Sequence, residues 1–237
     1  MGLTTIQLDQ TIRGQSMKIG NNLYAYPWET YTENNCNSYL IDGPVRTLID
    51  PGHLHLVPGL ESRLREDGFS LADMRLAIAT HPHPDHCEGL AAFAEIEAKT
   101  TMHVEAESFL KEFSRHWEQL TGKVVPEVSV DFFLRQGELR LGEEVFQVIE
   151  TPGHAPGSIC LYWEGPKVLF SGDVIFAQGM GRTDFPGGDP LLLGRSIQQL
   201  MDLDVELLLP GHGPGISGRG AVKENFYRVL AMFQQMF

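Results

Sequence analysis

The sequence predicts two β-sheets packed together with helices outside them. Three observations predict this. Short β-rich runs fill the first fifty residues, and further runs return after Pro126, so the strands fall into two groups. Helical patterns lie between and after those groups. Several strand runs, such as Leu76-Ala77-Ile78-Ala79 and Val168-Leu169-Phe170, are continuously apolar, as strands inside packed layers are. No low-complexity tract, charge block or Ser/Gly linker divides the chain, so residues 1–237 are read as one domain.

Taken in order, Leu23 to Tyr26, Ser38 to Ile41 and Val45 to Ile49 are short strands, the last two separated by the turn Asp42-Gly43-Pro44. Val57 to Glu66 turns helical, Met74 to Ala79 is a buried strand, and His86 to Ala98 reads as a helix. A strand at Thr100 to Val104 leads into an amphipathic helix at Glu105 to Leu120, with Phe109, Phe113, His116, Trp117 and Leu120 near one stripe. Strands follow at Val130 to Leu134, Leu139 to Leu141, Val145 to Ile149, Ile159 to Trp163 and Val168 to Phe170. Asp189 as N-cap and Pro190 at the first helical position start a helix to about Met201. Glu206 to Leu209 is a strand. A last helix carries Val222, Phe226, Val229, Leu230 and Phe233 at the 3.6-residue period.

Composition bounds the function. A content of 42% hydrophobic and 21% charged residues is that of a globular domain, and the net charge of −13 disfavours a nucleic-acid binder, which needs a basic face. It also disfavours a polybasic membrane-surface protein. No apolar run reaches the roughly 20 residues that span a bilayer. Cys36, Cys87 and Cys160 are odd in number and widely spaced, and Met1 to Ile6 reads as neither signal peptide nor myristoylation site. The expectation is a reducing, cytoplasmic compartment.

Chemistry concentrates where the strands stop. The run ending at Thr80 delivers His81, His83, Asp85 and His86, and the run ending Thr151-Pro152-Gly153 delivers His154. Val168 to Gly172 leads into Asp173, and Leu207-Leu208-Leu209-Pro210-Gly211 leads into His212. Individually each has a plain account. Asp85 could cap the following helix in a capping box with Glu88, Asp173 could be a turn aspartate, and His154 and His212 could be exposed loop histidines. Those accounts do not explain why five of the nine histidines end four apolar runs. Seven imidazoles and carboxylates at one sheet edge suit a pair of divalent ions, since both ligand types serve Zn²⁺ or iron and a carboxylate can bridge two ions.

The segments THPHPDH, TPGHAPGS, SGDVIF and PGHG resemble the ordered motifs of the metallo-β-lactamase superfamily, from about Leu23 to His212. The resemblance implies a four-layer αββα sandwich with a metal site at one edge. It implies that His81, His83 and His154 hold one metal, that Asp85, His86 and His212 hold a second, and that Asp173 bridges them. The tract Gly181-Arg182-Thr183-Asp184-Phe185 is similar to that of small bacterial glyoxalase II proteins and of the related persulfide dioxygenases. Cys87-Glu88-Gly89 departs from the usual small residue and Gly-Gly, and the long C-terminal extension of larger glyoxalase II enzymes is missing.

The expected activity is therefore hydrolysis of a thioester or ester by a metal-activated hydroxide, with two divalent ions as cofactors: zinc first, with iron or manganese as alternatives. Asp85 would also orient the nucleophile. Arg182 is the candidate for an anionic group of a small-molecule substrate. Tyr26-Pro27-Trp28 and the Phe109/Phe113/Trp117 stripe are candidate pocket walls. The competing reading is a mononuclear iron persulfide dioxygenase using His81, His154 and Asp173. His53 and His55 are expected outside the ligand set, His103 and His116 are assigned to the fold, and Cys87 is read as a small buried residue.

Overall fold

Alternation along the strands decides the layering. In the computed structural model, which describes residues 17–30, 32–122 and 124–236, Tyr39 and Ile41 point into one apolar cluster and Leu40, between them, into another. The same switch occurs at Leu48 and Ile49, at Ala77 between Leu76 and Ile78, and at Cys160 and Tyr162 among Ile159, Leu161 and Trp163. Successive strand side chains face opposite sides, so a strand apolar on both sides needs a partner layer on each.

Three clusters result. The central one lies between the sheets and joins Ile41, Ile78, Phe146, Trp163 and Phe170. One outer cluster packs the first sheet against helices through Leu60, Leu64, Phe93, Met102 and Leu110; the other packs the second sheet through Leu193, Ile197, Val222, Phe226 and Val229. The expected αββα sandwich is the observed architecture.

The first sheet runs in chain order: β1 (Met17–Lys18), β2 (Leu23–Tyr26), β3 (Ser38–Ile41), β4 (Thr47–Ile49), β5 (Leu76–Ile78), β6 (Lys99–His103) and β7 (Phe132–Leu134). Its first four strands are antiparallel, and β4 to β7 are parallel. The second sheet contains β8 (Gly137–Leu141), β9 (Glu144–Glu150), β10 (Ile159–Trp163) and β11 (Val168–Gly172). A small hairpin, β12 (Ile175–Phe176) and β13 (Gly179–Met180), stands apart, and β14 (Leu207–Pro210) and β15 (Ile216–Ser217) complete the second sheet beyond β11. Because β9, β10 and β11 alternate in direction while β11 and β14 are parallel, the C-terminal ends of β9, β11 and β14 share one edge.

The helices are α1 (Val57–Glu66), α2 (Pro84–Cys87), α3 (Val104–Thr121), α4 (Pro190–Leu200) and α5 (Arg219–Met236). The expected cap of α4 is present: the Asp189 carboxylate accepts from the amides of Leu191 and Leu192. The helix expected over His86 to Ala98 is not continuous. It breaks into the single turn α2 and a 3₁₀ segment at Glu88–Phe93. The Gly89 amide donates instead to the Gly52 carbonyl at 2.7 Å, and a Cβ there would lie 2.8 Å from Pro51. That long-range contact takes the amide out of a helical ladder, a reason local periodicity does not carry.

Candidate metal centre

The edge where β9, β11 and β14 end meets the loop after β5 through backbone bonds. The Ile159 amide donates to the Thr80 carbonyl at 2.9 Å, and the Asn37 amide donates to that of Gly211 at 2.7 Å. All seven residues singled out in the sequence converge there. His83 Nδ1 is 2.9 Å from His154 Nε2, and His86 Nε2 is 3.3 Å from His212 Nε2. Asp173 sits between the groups, with Oδ1 3.3 Å from His86 Nε2 and Oδ2 3.5 Å from His154 Nε2 and 3.3 Å from His212 Nε2. Asp85 Oδ2 is 3.3 Å from His212 Nε2.

The donor atoms of His81, His83 and His154 all lie within 4.8 Å of one another, as do those of Asp85, His86 and His212, and those of His81, His86 and Asp173. Atoms each about 2.1 Å from one tetrahedral ion lie about 3.4 Å apart, so this crowding is that of a ligand cage. Two further observations fit a cation. His81 Nε2 and Asp173 Oδ1 are buried without a hydrogen bond; the latter is near His86 but not aligned with it. Leaving such an atom unpaired costs about 1–3 kcal/mol.

Three of the other ring nitrogens are tied back. His154 Nδ1 donates to the Arg182 carbonyl at 2.7 Å, and His86 Nδ1 donates to Asp50 Oδ2 at 2.9 Å. Thr80 Oγ1 donates to Asp50 Oδ2 and so accepts from His81 Nδ1 at 3.0 Å. Each of these bonds aims an Nε2 lone pair into the cage. Glycines give the loops room: a Cβ on Gly181 would meet the Asp173 carbonyl and His154 Nδ1, and one on Gly211 would lie 2.3 Å from Asp173 Oδ1.

Burial keeps His81 and His154 below the ordinary histidine range and brings His83 to about 4. For His86, burial also pulls down, but Asp173 and Asp50 outweigh it and hold the imidazole well above its ordinary value. His212 behaves likewise: its bonds to Asp173 and Asp85 overcome desolvation and raise it to about 9. Desolvation disfavours the charged carboxylates, yet His212 and His86 hold Asp85 and Asp173 well below the usual range.

Asp85 does not cap a helix. His83 occupies the N-cap position of α2, Asp85 lies within its first turn, and Asn34 Nδ2 donates to Asp85 Oδ2 at 2.6 Å. Glu88, the other half of the capping-box alternative, pairs with His53 Nδ1 at 2.8 Å. His55 Nε2 is 2.6 Å from Glu33 Oε1 at the surface. His103 caps α3 and bonds Glu150, and His116 is exposed. Cys87 is buried beside the Pro82 carbonyl, and burial pushes its thiol up.

The cage forms the floor of a cleft of about 560 Å³ whose lining includes Phe109, Phe113, Phe176, Phe185 and Arg182. The Arg182 guanidinium is engaged twice by Asp184, at 2.6 and 2.8 Å. Tyr26 instead belongs to the outer core, and Trp28 is not in the cleft lining. The side chain of Trp117 and the residues Met1 to Ile6 lie outside the described residues. Asp50, Asn34 and Asn37 were not singled out in the sequence. For Asp50 a signal existed: it follows the β-run ending at Ile49 and sits beside Pro-Gly, the dipeptide that also precedes His154 and His212.

Comparison with known proteins shows the family. A family model described as the metallo-β-lactamase superfamily matches residues 31–212. A probable metallo-hydrolase of Methanocaldococcus jannaschii is 34% identical over 190 residues, covering 75% of this chain and 87% of the relative. A hydroxyacylglutathione hydrolase of Haemophilus influenzae is 31% identical over 78% of this chain and 87% of its own. An acyl-coenzyme A thioesterase of Gallus gallus is 33% identical over 76% and 73%. Among solved structures, the BLEG-1 B3 metallo-β-lactamase superposes with a TM-score of 0.71 at 28% identity, covering 87% of this chain and 99% of that one. A protein solved in a di-iron-bound form, TTHA1623, superposes with a TM-score of 0.67 at 29% identity, covering 84% and 98%. The fold, the ordered motifs and the matched family model together place this chain in the metallo-β-lactamase superfamily.

Proposed function

We propose that the protein is a binuclear metallohydrolase acting on a thioester or ester. The observation that carries this reading is the pair of three-residue donor groups, His81/His83/His154 and Asp85/His86/His212, on either side of Asp173. His81, His83 and His154 would hold one divalent ion, Asp85, His86 and His212 the other, and Asp173 both. Zinc suits this nitrogen and carboxylate set, and iron or manganese would use the same residues. When bound, such ions polarise a carbonyl and bring the ionisation of water towards neutral pH.

The chain's own groups do the rest. Asp85, steadied by Asn34, orients the attacking water and takes part in moving its proton. Asp50 and the Arg182 carbonyl keep His86 and His154 in the required tautomers. Arg182 stands at the rim for an anionic part of the thiol carrier, although it must exchange Asp184 to serve it. The relatives named hydroxyacylglutathione hydrolase and acyl-coenzyme A thioesterase support the thioester over other acyl donors. Among the described residues no helix is long and apolar enough to cross a membrane, and three buried free thiols suit the reducing, cytoplasmic setting that we also propose.

Elemental analysis of protein purified without chelators, followed by a panel of thioesters and esters, tests this. Two ions per chain with thioester turnover is the expected result. One iron per chain, no hydrolysis and persulfide-dependent oxygen uptake would replace this reading with the dioxygenase.

A further inference from the structure

The cleft above the cage is walled by rings. Phe185 stands edge-on to His83 with ring centroids 5.7 Å apart, and Phe176 stands edge-on to His212 at 6.1 Å. Phe109, from α3, also lines the cleft. Phe185 is 43% exposed, although a large aromatic side chain gains from burial. The wall is also held in place. A Cβ on Gly187 would lie 2.6 Å from Pro156 and 3.2 Å from Phe109, so the loop packs against α3 at its glycine. The Gly188 amide closes the turn onto the Phe185 carbonyl at 2.9 Å, and the Asp189 amide donates to the Gly153 carbonyl at 2.8 Å. Among the described residues, Arg182 is the one Arg or Lys in the cleft lining. Its guanidinium lies 4.2 Å over the Phe185 ring while bonded to Asp184, which leaves it little charge to offer inside the cleft.

We infer that the acyl group of the substrate is apolar and seats against Phe109, Phe176 and Phe185, with its carbonyl over the cage. This rests on the thioester-hydrolase reading and narrows it. A small hydroxylated acyl group would leave the rings wet, whereas an alkyl or aryl acyl group would cover them, and a wall fixed before binding takes it with little loss of conformational freedom.

The test uses metal-loaded protein and thioesters of one neutral thiol, N-acetylcysteamine, with acetyl, butanoyl, hexanoyl and lactoyl groups. We expect kcat/KM to rise about fourfold per buried methylene. Phe109→Ala and Phe185→Ala should each lower the hexanoyl-to-acetyl ratio of kcat/KM at least tenfold, and Phe185→Leu should restore most of it. Calorimetric binding of the unhydrolysable S-hexyl thioether, weakened by the same Ala variants, supplies a readout independent of turnover. A flat chain-length profile, or preference for the lactoyl over the hexanoyl group on the same thiol, overturns the apolar acyl group and leaves thioester hydrolysis standing. Absence of turnover on every thioester overturns the hydrolase reading and this inference with it.

Discussion

Asp50 Oδ2 lies 2.9 Å from His86 Nδ1, with both side chains withdrawn from solvent. The same carboxylate accepts from the Thr80 amide at 2.7 Å and from its hydroxyl at 2.9 Å, and that hydroxyl in turn receives His81 Nδ1. One buried acid therefore aligns two imidazoles from behind. Asp50 adopts φ of 53°, an uncommon value for a residue with a side chain, which its three bonds hold in place. Asp50→Asn should weaken metal binding 10- to 100-fold, as loss of such backing bonds does. Competition against a chromophoric chelator reads this directly, and unchanged affinity would show that Asp50 serves the fold alone.

The ligand assignments separate by substitution. His83→Ala and Asp173→Ala should each abolish hydrolysis and lower the metal content of purified protein. His116→Ala, on the exposed side of α3, should change neither. Wild-type turnover by Asp173→Ala would sink the bridging role.

Metal uptake should be linked to protons. At pH 7, His212, raised to about 9, carries a proton that His83, at about 4, does not. Ligation requires neutral imidazole, so binding at pH 7 should release at least one proton. Calorimetry in buffers of different ionisation enthalpy counts them, and zero release would contradict the assignment. For the metal-free protein the sign is fixed by the upward shift of His212. Its contribution to stability is complete below about 6.5 and is lost as pH rises through about 9. The melting temperature of metal-free protein should fall across that window, less steeply in His212→Gln.

Two glycines should respond oppositely to alanine. At Gly211 the new Cβ would press 2.3 Å from Asp173 Oδ1 and 2.6 Å from His86 Cε1, so Gly211→Ala should reduce metal affinity at least tenfold, in the same chelator assay. At Gly59, in α1, nothing lies within 4 Å of a Cβ. Gly59→Ala should stabilise by about 0.5–1 kcal/mol, read from chemical denaturation, because alanine has less backbone freedom to lose.

The amino-acid sequence by itself determined the layers and which imidazoles and carboxylates end the strands. The continuous apolar run Leu76-Ala77-Ile78-Ala79 is local, so it survives in a linear reading, and so do the Pro-Gly and Ser-Gly turns that end the strands before His154, Asp173 and His212. The cap formed by Asp189 and Pro190 was legible for the same reason. Two-residue ladders such as β1, β12, β13 and β15 were not, because they are too short to show a period. The break after α2 was hidden because its cause, the bond from Gly89 to Gly52, joins separate segments.

Only the tertiary structure decided what each polar side chain faces. It turned Asp85 from an equally good helix cap into a member of the cage, gave Glu88 to His53, and paired Arg182 with Asp184. It also brought Asp50 behind His86 and set Phe109 and Phe185 around one cleft. Hydrogen bonds and ring contacts act over a few ångströms in space. Partners separated by tens of residues become neighbours only when the packed sheets bring their ends to one edge.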